Sequence, residues 1–181
     1  MSRPSDPSAD SEISWQEFRD RSNAMFKASR SLGASSDADT ILRRELVGQA
    51  PLPALLNLML REPDVRAGFL PELLVALIHG PTNLILVVRD SIRCCPRSAL
   101  EEGIPAAMEP LLAVGDDESF YRISEVLVEL RLDAALDRLV EMAGDHSDPD
   151  VRDLVRRNEG IAGDPQRWGR LVQEWPIQEV G

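Results

Sequence analysis

Lysine is almost absent from this chain: Lys27 stands against nineteen arginines. Histidine occurs twice, as His79 and His146, and cysteine twice, as the adjacent Cys94 and Cys95. Aromatic residues make up 4% of the 181 positions. Each shortage excludes something. Adjacent cysteines fall short of the Cα separation that an ordinary disulfide uses, and no third cysteine is on hand. A disulfide scaffold is therefore excluded. The apolar run within Asn83 to Val88 is far shorter than the roughly 18 residues a membrane span needs, as is every other. The opening MSRPSDPSAD lacks the apolar core of a signal peptide. A cytoplasmic protein with no membrane role is the expectation. The arginine bias is read as that of a GC-rich genome.

Apolar residues are plentiful at 43%. With few aromatics among them, the core must be built from Leu, Val, Ala and Ile, which suits stacked helices in one domain of this length. The net charge is −11, so nucleic acid is a poor partner for the chain as a whole. Residues 101–150 hold fourteen carboxylates against three arginines, and the rest of the chain is balanced. The bland explanation is solvated outer faces and acidic helix starts. The sharper one is an acidic docking face for a basic protein.

Apolar spacing predicts helices along most of the chain. Residues 1–12, rich in Ser, Pro and Asp, read as a disordered tail. Residues 13–50 read as an N-terminal helical cap. Its first helix starts at Ser14, where Ser14 and Glu17 form a capping box, and carries Trp15, Phe18, Ser22, Met25 and Phe26. Its second spans 37–49. Pro51 and Pro53 suit the first turn of a third helix. Glu62 to Val65 turns into a helix holding Phe69 to Ile78, with Pro71 in its first turns or at a kink. TNLILVVRDSIRCC has strand-like propensity, yet its helical flanks favour a helix surrounded by neighbours. A short turn at 98–103 precedes a helix from Ile104. Residues 119–131 show the cleanest stripe, Ile123, Val126, Leu127 and Leu130. Helices at 133–143 and 149–158 follow, and a last one near Pro165 to Trp175 closes the stack within residues 161–181.

Arg122 and Arg152 each follow an acidic turn, DDES and DHSDPD, and each opens an apolar stripe. They stand thirty residues apart, and a period of that length marks a solenoid. DPDVRDLV at Asp148 to Val155, LRLDAALDRLVEMAGD at Leu130 to Asp145 and EPDVR at Glu62 to Arg66 resemble the HEAT-like repeats of bacterial proteins, relatives of armadillo repeats. The resemblance covers residues 51–160. It implies an all-α, short α-solenoid of helical hairpins, about eight to nine helices in all. It also implies that Val65 and Val151 pack inward and that Arg66, Arg122 and Arg152 lie on a ladder between repeats. The unit near Asp117 lacks the Pro and Val, and the two PDVR copies are not a whole number of repeats apart.

Catalytic signatures are missing: there is no G-x-x-x-x-G-K, G-x-G-x-x-G, G-x-S-x-G or H-E-x-x-H. His79 suits the C-terminal end of a helix, and His146 an exposed acidic turn. Cys94 and Cys95 suit a buried helix better than a reactive site, although Arg89, Arg93 and Arg97 lie nearby. DHSDPD lacks the glycine and distal glutamate of a calcium loop. No catalytic, cofactor or metal role is therefore expected. In a HEAT-like stack the inner helices line a concave face. The candidate partner-binding residues are Tyr121, Arg122, Glu125, Val128 and Glu129, with Asp153, Arg156 and Arg157 on the next inner helix. Tyr and Arg are enriched in binding hot spots. The expected function is a non-catalytic protein-binding module, in its most concrete form a bacterial inhibitor or immunity-type protein for a basic partner. The alternatives are a scaffold or adaptor that self-associates through its N-terminal segment, and a cysteine-dependent enzyme.

Overall fold

The computed structural model describes residues 9–156, with side chains from 14 to 153. The expected helix near Pro165 to Trp175 lies outside the described residues. The chain divides into two compact units, 1–41 and 42–181. Among the described residues all regular structure is helical, in ten α-helices and one 3-10 turn. The fold is all-α.

In the first unit, α1 runs from Ala9 to Gly33. It begins upstream of Ser14, so the Ser14–Glu17 capping box lies inside the helix and does not open it. The helix also includes part of the expected tail. Trp15 and Phe18 stack with ring centroids 5.4 Å apart on one face. α2, Ala38–Leu46, follows.

In the second unit, Leu42 and Leu46 lie one turn apart and are buried. Arg43 donates to the Gly68 carbonyl at 2.7 Å, pairs with Glu72 at 2.6 Å and sits 4.6 Å over the Phe69 ring. α3, Leu52–Met59, has Pro51 at its N-cap and Pro53 inside its first turn, where missing N–H groups cost nothing. The expected single helix after Glu62 is two: α4, Pro63–Ala67, and α5, Leu70–His79. Gly68 and Phe69 separate them, and Pro71 lies in the first turn of α5, where it makes no kink. A 3-10 turn at Thr82–Leu84 leads into α6, Ile85–Arg93. The segment is helical and not a strand, but neighbours do not surround it. Val88, Ser91 and Ile92 are buried, whereas Leu86 is 71% exposed.

α7, Arg97–Leu112, is continuous where a turn and a separate helix were expected. Pro105 and Pro110 lie inside it and strip hydrogen bonds from the carbonyls of Glu101 and Ala106. Both of those residues are exposed. α8 (Asp117–Leu130), α9 (Asp133–Gly144) and α10 (Pro149–Arg156) complete the unit. α5 packs on α6, α7 and α8; α8 packs on α9 and α10; α9 also packs on α7. The core is mainly leucine, from Leu55 to Leu139, around Phe69 and Phe120. Each fully buried Leu contributes about 1.5–3 kcal/mol relative to exposure.

Arginine guanidinium groups close several helix ends. Arg66, 6% exposed, donates to the carbonyl of Met59 at 3.0 Å, the last residue of α3, to that of Arg61 at 2.9 Å just beyond it, and to that of Cys94 at 3.2 Å, beyond α6. Arg122 donates to Leu77 and Ile78 at the end of α5, at 3.1 and 2.8 Å. Arg97 donates to Leu130 and to Arg131 at the end of α8. Arg152 donates to His146 and Ser147, after α9. Terminal carbonyls are unsatisfied and carry the negative end of the helix dipole, so a multi-donor cation suits them. At Asp64–Val65–Arg66 the expected orientation is corrected. The five-residue α4 turns Arg66 into the interior and leaves Val65 42% exposed, whereas Val151 is fully buried.

Candidate protein-binding face

α8 is defined sharply at both ends. The Asp116 carboxylate accepts from the Ser119 N–H at 2.9 Å and from its hydroxyl at 2.5 Å. These bonds hold Asp116 below the usual carboxylate range. At the other end Arg131 adopts a left-handed conformation, and the Leu132 N–H returns to the Leu127 carbonyl. Between these caps Phe120, Ile123, Val126 and Leu127 face the core. Tyr121, Arg122, Glu125 and Val128 are half-buried, and Glu129 is exposed. Val128 is thus less exposed than its place opposite the core stripe implied.

The two glutamates are not an open acidic patch. Arg89 of α6 donates to Glu129 at 2.7 Å and approaches Glu125 at 3.4 Å. Arg93 reaches the other Glu129 oxygen at 3.1 Å and also pairs with Asp90. The Tyr121 hydroxyl donates to Glu125 at 3.2 Å. Burial, then the adjacent Glu125 charge, raise the Tyr121 phenol above its ordinary value. Two arginines thus face three carboxylates along the α6–α8 ridge, which leaves one negative charge in excess. Leu86 lies on the same face of α6, one and two turns before Arg89 and Arg93. Partly exposed ion pairs of this kind contribute up to about 1 kcal/mol each. Their larger effect is to hold long side chains in one arrangement.

The predicted residues do not all gather on this ridge. Tyr121, Glu125 and Glu129 meet Arg89 and Arg93 there. Arg122 is committed to the carbonyls of α5 and to Glu118, with its side chain 13% exposed. Asp153 is half-buried on α10. The Arg156 side chain and Arg157 lie outside the described residues. Sequence reading missed Leu86 as a surface residue, and it noticed Arg89 and Arg93 only beside the cysteines. Their i, i+3, i+7 spacing was visible, but the meeting of residues 36 to 40 positions apart was not.

Other chemistry is sparse among the described residues. No group of three or more His, Cys, Asp or Glu is placed to hold a metal ion. No helix there is long and apolar enough to cross a membrane. Cys94 is exposed and Cys95 buried. Burial pushes the Cys95 thiol from 9.0 up to about 11, against the opposing Arg66 charge. His146 is half-buried, not exposed as expected. It packs edge-on against Phe120, and its Nδ1 accepts the Asp148 N–H at 3.1 Å. Comparison with family models, with curated proteins and with solved structures gave no match.

Proposed function

We propose that this chain is a non-catalytic protein-binding module of HEAT-like hairpins that docks a basic partner on the α6–α8 ridge. The most concrete version is a bacterial cytoplasmic inhibitor or immunity-type protein. One observation carries the choice of face. Tyr121, Arg89 and Arg93 are held in one ion-pair network with Glu125 and Glu129, beside an exposed Leu86. Ordered Tyr and Arg side chains match the composition of a binding hot spot, and the exposed Leu86 adds apolar area beside them. The carboxylate excess of residues 101–150 supplies long-range attraction. Glu102, Asp133 and Asp137 are exposed and make no ion pair among the described residues.

The test is affinity capture from native host lysate at low and high salt. Wild-type protein is compared with Leu86→Asp and Tyr121→Ala. Reversing Glu125 and Glu129 to Lys is a poorer choice, because it breaks internal pairs with Arg89 and Arg93. The expected result is one basic partner, retained at low salt, released at high salt and weakened at least tenfold by either variant. A partner held equally well by both variants overturns this face. No partner at either salt overturns the binding module itself.

A further inference from the structure

We propose that Glu125 is the receiving carboxylate of the α6–α8 ridge, the point at which one basic side chain of the partner binds. This rests on the ridge being the docking face and locates a contact within it. The two arginines of the ridge are shared unequally. Arg89 turns both Nε and Nη2 onto one Glu129 oxygen, at 3.1 and 2.7 Å. Arg93 reaches the other Glu129 oxygen at 3.1 Å and gives a second N–H to Asp90. Glu125 receives a 3.4 Å contact from Arg89 and the neutral Tyr121 hydroxyl at 3.2 Å. No other ion pair reaches it among the described residues. The one carboxylate charge in excess over the arginines therefore rests mainly on Glu125.

Burial makes that charge count. The Glu125 side chain is 20% exposed, so it is reachable yet mostly withdrawn from water. Charges in such a place are poorly screened, and an incoming cation gains more there than beside a fully solvated acid. Tyr121 senses the same imbalance. Burial and then the Glu125 charge raise its phenol, and the Arg89 charge opposes them by less. The potential between Tyr121 and Glu125 thus stays negative although Arg89 stands beside it. An anionic or neutral group has no complement there. A lysine or arginine has one, through a charge-assisted hydrogen bond to Glu125. Leu86, one turn before Arg89 on α6 and 71% exposed, offers apolar area to the alkyl stem of that side chain.

Tyr121 is the only tyrosine, so its ring signals in a nuclear magnetic resonance spectrum read this site alone. The full chain with isotope-labelled tyrosine is titrated at low salt with the peptide acetyl-Leu-Arg-Leu-amide. Its citrulline counterpart keeps the shape and loses the charge. A saturable shift is expected with the arginine peptide, and binding at least tenfold weaker with the citrulline one. Glu125→Gln keeps an acceptor for the Tyr121 hydroxyl and is expected to weaken the arginine peptide at least tenfold. Asp90→Asn removes the same charge from the same network and is expected to change binding less than twofold. Equal binding of the two peptides, equal losses in the two variants, or no saturable shift overturns the subsite. A captured partner weakened by Leu86→Asp but not by Glu125→Gln also overturns it, and leaves the docking ridge standing. Peptide binding with no captured partner supports the subsite and overturns the ridge as a docking face.

Discussion

Arg131 closes α8 with φ at 52° and ψ at 50°, a conformation that crowds its Cβ against its own backbone. Its exposed side chain makes no ion pair among the described residues. Arg131→Gly is therefore expected to stabilise the chain by about 0.5–1 kcal/mol, read by urea unfolding. Cys95 makes a prediction of the opposite kind. Its folded pKa is raised, so burial of the neutral thiol stabilises the fold fully below 9.0. That contribution is lost as pH rises through about 11. The raised Tyr121 phenol acts with the same sign. Thermal unfolding across this range is expected to show an alkaline fall in stability that Cys95→Ala makes shallower. An equal slope in both proteins would contradict it. Single residues were legible only in part. Arg66, Arg122 and Arg152 stood out by spacing, but their work as carbonyl donors depends on which helix end each meets.

Helix ends organise this molecule at the scale of elements. Arg66 joins the ends of α3 and α6 through carbonyls of Met59, Arg61 and Cys94. Lysine has a point charge in place of a fork and cannot span these acceptors. Arg66→Lys is expected to cost about 2 kcal/mol and Arg66→Met about 3, measured by chemical denaturation. A neutral Arg66→Lys would contradict the capping role. It would also return the arginine bias to genome composition alone. Most helices were legible because their apolar residues recur with helical period. Boundaries were not. The α4–α5 break coincides with Arg66 and Phe69 turning inward, α7 runs through its prolines with Glu101 and Ala106 exposed, and α1 starts before its apparent cap. Each outcome depends on surroundings that periodicity does not contain.

The charge asymmetry of the whole molecule was plain in the sequence, and its local cancellation was not. Glu125 and Glu129 read as free acids until Arg89 and Arg93 of α6 are placed beside them. The surface that results is an ordered, nearly balanced ridge with an apolar anchor. On the proposed reading, the unpaired carboxylates of residues 101–150 supply the long-range attraction. Affinity on this account comes from the ridge, and salt dependence comes from the surrounding field. Hydrogen exchange of the chain alone and bound to its captured partner separates the two most directly. The account predicts new protection in residues 85–93 and 117–130. Protection confined to other helices, with α6 and α8 exchanging as in the free chain, would contradict it.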